Sequence, residues 1–112
     1  MKRIARHEGK LSAPPLHAGV VSREIIGKNT LAQHAAIHVS TIAPGGGSEI
    51  DFHARSEQTF YVLSGQLTFL AEGSELVAQA GDAVFIAAGE PHATANEGEI
   101  DAVCLVVTAP PL

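Results

Sequence analysis

Aromatic residues, cysteines and long apolar runs are all scarce in this chain of 112 residues. Four Phe, one Tyr and no Trp leave Ala, Val, Ile and Leu to fill the interior, which suits strands that line a roomy cavity. The single cysteine, Cys104, excludes an internal disulfide, and its place in the apolar run AVCLVV predicts a buried core thiol. No apolar run approaches membrane-spanning length and none follows the opening MKRIARHEGK, so we expect a cytoplasmic protein without a membrane partner.

Basic residues are absent beyond Arg55. Residues 1–55 hold seven bases and four acids, a net charge of +3, whereas residues 56–112 hold eight acids and no bases. The overall charge of −5 argues against nucleic acid as a partner, because binding to phosphates needs a basic surface. The two complementary halves either neighbour one another within one fold or meet across a self-complementary dimer contact.

Turn signals recur throughout most of the chain. Residues 1–17 contain SAPPL, whose prolines cannot join an interior ladder, so they are expected to form an N-terminal arm or edge element. Residues 18–112 alternate apolar runs with turns, a pattern typical of a single all-β sandwich or barrel. The predicted strands are 18–26, 31–43, 49–54, 58–64, 66–72, 75–80, 83–88, 91–96 and 100–108, with PGGG as one of the turns.

Polar side chains that could bind a ligand or take part in a reaction share faces of these strands. Residues of equal parity within a strand face the same side. The sets that do so are Asp51 with His53; His34 with His38 and Ser40; and His92 with Thr94 and Asn96. If those faces line one cavity, several imidazoles converge there with an acid and an amide.

Two spacing patterns in the chain resemble the short motifs of the cupin family. The first motif has the form Gly, five residues, His, one residue, His, three or four residues, Glu, six residues, Gly. Its spacing is matched by Gly45, Asp51, His53, Gln58 and Gly65, with Asp in the first His position and Gln in the Glu position. The second has the form Gly, five residues, Pro, one residue, Gly, two residues, His, three residues, Asn, and it is matched by Gly81, Ala87, Gly89, His92 and Asn96, with Ala for Pro. The resemblance covers roughly residues 40–97. A competing register that starts the first motif at His53 and Arg55 breaks the distance to Gln58.

The resemblance implies an all-β jelly-roll barrel, the double-stranded β-helix of cupins, usually as a homodimer. It also implies one divalent metal ion, held at the matching positions Asp51, His53, Gln58 and His92. The carboxylate has moved from the Glu position to Asp51, so the formal charge of the ligand set is unchanged, and imidazole with oxygen donors suits Fe, Zn, Ni or Mn.

Each of these ligands also has a plainer interpretation. His53 and His92 could be polar residues at a cavity rim that bind only water. Gln58 could be an amide hydrogen-bonded inside the barrel. Asp51 could be an exposed acid paired with Arg55, a type of pair that contributes little.

The functional expectation is metal-assisted oxygenase, isomerase or cyclase chemistry on a small organic substrate. His38 could accept a proton near neutral pH, and Arg55 could meet an anionic substrate at the entrance. The residues expected to line the pocket are His34, Phe60, Thr94 and Asn96, while His7 and His17 are expected on the surface of the arm. The alternative is a metal-free module that binds or senses a carbohydrate or metabolite without catalysis.

Overall fold

The computed structural model describes all 112 residues and is built almost entirely of β-strands. Two short 3₁₀ helices lie at Arg6–Glu8 and Lys28–Thr30. The nine strands are β1 Lys10–Ser12, β2 His17–Ile26, β3 Ala36–Ser48, β4 Glu57–Ser64, β5 Gln66–Ala71, β6 Ser74–Gln79, β7 Ala83–Ile86, β8 Ala93–Ala95 and β9 Ala102–Ala109. None of the helices is long and apolar enough to cross a membrane.

The strands form a nearly closed antiparallel barrel, and this confirms the predicted all-β jelly-roll class. Neighbouring strands follow the order β6-β5-β8-β3-β9-β4-β7, and β2 pairs with β3 and with the short edge strand β1. Strand β3 is central, since it pairs with β2 along one side and with β9 and β8 in turn along the other. It therefore passes from one half of the barrel to the other.

The PGGG segment continues β3, and its prediction as a turn was wrong. Between the pairs Val20–Ile42 and Ala18–Gly47, four residues of β3 bulge out of the ladder. A Cβ atom at Gly46 would lie 2.9 Å from three backbone oxygens of the two strands, so only glycine fits this close approach. The bulge bends β3 and lets it reach β8 without ending the strand.

Two further strand predictions need correction. The strand predicted at 31–43 begins only at Ala36, because the chain first makes a 3₁₀ turn and Leu31 adopts a left-handed φ of 64°. Residues 49–54 form no strand, and Asp51 alone makes an isolated bridge to His92. The other seven strands lie within two residues of their predicted bounds at each end.

The hydrophobic core lies inside the barrel. Its buried members are Ile42, Val62, Leu67, Phe69, Ala78, Ile86, Ala102, Cys104 and Val106. Cys104 is fully buried, as its apolar run predicts. Several of these side chains also form the floor of a cavity, so the packing that stabilises the barrel shapes its interior space as well.

Candidate metal and ligand site

A cavity of about 330 Å³ opens beside the core. Its apolar floor is formed by Val20, Ile42, Phe60, Leu67 and Val106, which come from five strands. A volume of this size is at the lower end of small-molecule sites, which span about 300–1,000 Å³. The cavity can therefore hold a compact organic ligand against an apolar surface.

Hydroxyl groups form much of the cavity wall. The Ser22 and Ser40 hydroxyls are hydrogen-bonded at 3.0 Å, and those of Ser48 and Thr94 at 3.1 Å. The backbone N–H of Thr94 also donates to the Ser48 hydroxyl at 3.0 Å. No Lys or Arg lines the cavity, and Asp51 is the one acidic side chain in the lining. The wall is polar but carries no fixed positive charge.

The two motif segments meet at this cavity through their backbones. Asp51 and His92 exchange N–H to carbonyl hydrogen bonds of 2.9 Å in both directions, and the Gly89 N–H donates to the His53 carbonyl at 2.7 Å. Directly opposed residues of an antiparallel bridge project their side chains to the same side. The side chains of Asp51, His53 and His92 all reach the cavity lining as a result.

The imidazoles of His53 and His92 lie close together. Their ring centroids are 5.6 Å apart, with an angle of 59° between the ring planes. The His92 Nδ1 lies 2.9 Å from the Glu90 carbonyl oxygen, which can only accept a hydrogen bond, so Nδ1 carries the proton and Nε2 is left as a free electron-pair donor. Metal-binding histidines are commonly oriented by such a carbonyl.

The electrostatic environment keeps His53 neutral. Burial, and then the neighbouring charges of His92 and His17, lower the pKa of His53 below 6.5, while the Asp51 carboxylate opposes the shift. The neutral imidazole is the form that donates an electron pair to a metal or accepts a proton from a substrate. His53 is thus in its reactive form near neutral pH.

The side chains of Gln58 and Asp51 are each held by one hydrogen bond within the protein. Gln58 is buried, and its Nε2 donates to the Thr108 hydroxyl at 3.1 Å. The Asp51 Oδ1 accepts the backbone N–H of Phe52 at 2.8 Å. Both residues belong to the lining, and the Gln58 Oε1 and the Asp51 Oδ2 take no part in these contacts.

The donor atoms of these residues suit a divalent cation, and so does the spacing of the two imidazoles. Two imidazoles bound to one ion through metal–nitrogen bonds of roughly 2.0–2.1 Å hold their ring centroids about 4.5–6 Å apart, which includes the separation of His53 and His92. No group of three His, Cys, Asp or Glu side chains lies close enough to hold an ion as it stands. Among the predicted metal ligands, His53 and His92 are the pair whose ring spacing is compatible with one ion.

The other predicted site residues divide into two groups. His38, Phe60 and Thr94 line the cavity together with the four motif positions. Three residues do not line it, and their predictions need correction: His34, Arg55 and Asn96. His34 lies exposed in the bend before β3, and Arg55 lies exposed in the bend before β4, so neither strand directs them inward.

Asn96 is instead a structural residue. It is only 2% exposed, and its Nδ2 donates to the carbonyls of Ile42 and Ile100, each at 2.8 Å. Its Oδ1 accepts the Gly98 N–H at 3.0 Å. The polar atoms of its side chain are all engaged with the backbone where the β8–β9 turn closes.

His17 is exposed, as expected for the surface of the arm, and it also lies at the rim of the cavity, where it belongs to the lining. The cavity-lining residues of β2 are His17, Val20 and Ser22, and the step from His17 to Val20 departs from the two-residue alternation of a regular strand. Gly19 lies between them with a left-handed φ of 65°, and this reverses the side to which the preceding residues point. The sequence analysis assigned His17 to the arm and did not predict its place at the cavity rim; Gly19 is the sequence signal for the irregularity that puts it there.

A family model described as a cupin domain matches residues 38–108. The chain is similar in structure to the polyketide cyclase RemF from Streptomyces resistomycificus, with a TM-score of 0.87 and 26% identity over 99% of this chain and 80% of that one. It is also similar to a putative sugar phosphate isomerase from Acidithiobacillus ferrooxidans, with a TM-score of 0.77 and 29% identity over 96% of this chain and 74% of that one. A predicted oxalate decarboxylase from Thermotoga maritima shares the fold at 19% identity, with a TM-score of 0.82 over 98% of this chain and 100% of that one. A search of curated proteins found no match.

Proposed function

The chain belongs to the cupin family, and on that premise we propose that it binds a divalent metal ion in its cavity and acts there on a small organic molecule. His53 and His92 would hold the ion through nitrogen, and Asp51 and Gln58 would supply oxygen donors. The observation that carries the proposal is the imidazole pair of His53 and His92, whose ring centroids lie 5.6 Å apart at the cavity, beside the reciprocal backbone bridge between Asp51 and His92. A bound Fe, Zn, Ni or Mn ion would supply Lewis acidity towards a carbonyl or enol oxygen.

The cavity lining supports an uncharged, ring-sized substrate. Its floor is apolar and its wall offers hydroxyls, but no Lys or Arg is present to bind a phosphate or a dicarboxylate. Arg55, expected to meet an anion, lies outside the lining. This favours cyclisation, isomerisation or oxygenation of a neutral carbonyl or phenolic compound over chemistry on a sugar phosphate.

His38 is the proposed proton acceptor. It lies on β3 beside Ser40, lines the same cavity and is not needed for the imidazole pair. A neutral imidazole within reach of a substrate can take a proton from it. His38→Gln should therefore reduce turnover while leaving metal affinity unchanged.

Calorimetric titration of Zn²⁺ into chelator-stripped protein tests the metal proposal. Wild-type protein should bind one Zn²⁺ per chain, and His92→Ala should weaken that binding by at least about tenfold because one nitrogen donor is lost. His34→Ala is the matched control, since this imidazole is exposed and lies outside the cavity. Equal affinity in all three proteins would contradict the proposed site.

A metal-free binding module is the second candidate, and one observation favours it. Gln58 stands where the cupin motif has Glu, and its side-chain amide already donates to the Thr108 hydroxyl. No three His, Cys, Asp or Glu side chains are clustered closely enough to hold an ion. Thermal-shift screening with neutral aromatic ketones and sugars, with and without EDTA, separates the candidates. A ligand that stabilises the protein equally in EDTA indicates the binding module, whereas stabilisation lost in EDTA indicates metal-dependent binding.

A further inference from the structure

Two serines form a buried pair of hydroxyls inside the barrel. Ser22 of β2 lies directly opposite Ser40 of β3, and their hydroxyl oxygens are hydrogen-bonded at 3.0 Å. The two residues are only 3% and 9% exposed, and both belong to the cavity lining. Because directly opposed residues of an antiparallel pair project to the same side, both hydroxyls face the cavity.

The surroundings of this serine pair are apolar. Val20 and Ile42, the neighbouring cross-strand pair on the same two strands, belong to the cavity floor. On the other side of β3, Ser40 is paired with the fully buried Cys104. Neither serine hydroxyl makes a hydrogen bond to any group of the protein other than its partner. The pair is therefore a polar spot on an apolar surface.

A count of protons shows what the serine pair still offers. Each serine hydroxyl has one proton to donate. Whichever oxygen donates within the pair, one O–H is used and the other is left without an acceptor in the protein. A buried donor without an acceptor is unfavourable. The missing acceptor has to come from the cavity, which is where a substrate would lie.

The second hydroxyl pair in the cavity, Ser48 with Thr94, differs in one respect. The Ser48 hydroxyl also accepts the backbone N–H of Thr94 at 3.0 Å, so this pair helps to join β3 to β8. The serine pair of Ser22 and Ser40 satisfies no backbone group. Its free O–H is therefore available to whatever occupies the cavity.

We propose that the serine pair is the subsite that binds an uncharged carbonyl oxygen of the substrate. The inference rests on the proposed action on an uncharged organic molecule, and it adds the residues that recognise that molecule. An anion is disfavoured at this spot, because its charge would be buried without a partner among apolar side chains. His38 lies two residues before Ser40 on the same face of β3, roughly 7 Å along the strand, so a bound carbonyl lies next to the proposed proton acceptor.

Two matched probes test the subsite: 1-indanone, a compact aromatic ketone, and indane, the same bicyclic hydrocarbon without the oxygen. Their affinities are measured by NMR titration of metal-free protein in EDTA. The double variant Ser22→Ala/Ser40→Ala should bind 1-indanone about 3- to 10-fold more weakly than the wild type, the range expected for one hydrogen bond, and should bind indane no less tightly. Each single variant keeps one O–H and should keep most of the affinity for the ketone.

The double variant should fold, because replacing both hydrogen-bond partners by apolar groups disturbs stability little. Ser74→Ala is the matched control, since this serine is exposed on β6 and lies outside the cavity lining. The infrared carbonyl stretch of bound 1-indanone, labelled with ¹³C at the carbonyl, is a second readout. It should lie at a lower frequency in the wild type than in the double variant, because a hydrogen bond weakens the C=O bond.

The possible outcomes separate this inference from the function on which it rests. If both probes bind and the double variant changes neither the ketone affinity nor the carbonyl stretch, the role of the serine pair is overturned and the proposed substrate class stands. If neither probe binds to the wild type, both are overturned. Because EDTA is present throughout, neither result depends on the metal centre, which the Zn²⁺ titration tests separately.

Discussion

Replacing Asn96 with alanine should remove three hydrogen bonds around the β8–β9 turn. The side chain is 2% exposed and holds the carbonyls of Ile42 and Ile100 and the N–H of Gly98. A buried polar group left without a partner costs about 1–3 kcal/mol, at the high end for the buried Ile42 carbonyl and at the low end for groups that water can reach. We expect Asn96→Ala to lower the free energy of unfolding by about 3–4 kcal/mol, or Tm by roughly 10–15 °C.

Urea unfolding followed by far-ultraviolet circular dichroism measures this loss. Asn29→Ala, at an exposed position, should change stability by less than about 0.5 kcal/mol. Asn96→Asp keeps an acceptor for Gly98 but sets a carboxylate against two carbonyl oxygens, so it should be no more stable than Asn96→Ala. A loss below about 1 kcal/mol in Asn96→Ala would refute the view that these bonds, rather than side-chain volume, hold the turn.

Three further predictions concern backbone, charge and thiol chemistry. Gly65→Ala should destabilise more than Gly73→Ala in urea unfolding, because both glycines have left-handed φ but only at Gly65 would a Cβ collide with the Asp101 carbonyl; equal losses would contradict this. Burial lowers the pKa of His53, so the folded, metal-free protein binds fewer protons than the unfolded chain. The free energy of unfolding should therefore rise with pH up to about 6.5. Unfolding curves recorded between about pH 5 and pH 7.5 should show a flatter rise for His53→Gln than for the wild type. Burial raises the pKa of the Cys104 thiol to about 11, so thiol reagents at pH 8 should modify it only after unfolding, and rapid labelling of native protein would contradict its burial.

The fold could be predicted from sequence because turn residues and alternation recur along most of the chain. Seven strands follow from local spacing, whereas the convergence of His53 and His92 was implied by the resemblance of their two segments to the cupin motifs. The segment at 49–54 was predicted as a strand because its alternation is strand-like, yet it pairs only where Asp51 meets His92. Pairing depends on a partner backbone, which local spacing does not specify.

Residues near glycines and bends were the ones misplaced. Parity counting assumes an unbroken strand, and in β2 the left-handed Gly19 interrupts the alternation, so that His17 joins Val20 and Ser22 in the cavity lining. Parity counting also predicts that His34 shares a face with His38, but the strand begins only at Ala36. Arg55 was assigned to the entrance by proximity in sequence, but the bend before β4 turns it to solvent. Each error has the same cause, a local backbone feature that changes the side to which a residue points.

Elemental analysis of tag-free protein, prepared without added metal or chelator, tests the central claim most directly. Wild-type protein should carry about one divalent metal ion per chain, and a parallel preparation of His53→Ala should have lost it, because the imidazole pair is broken. A folded wild-type protein with no metal, or equal metal in both proteins, would contradict the metal centre and direct attention to the binding-module alternative.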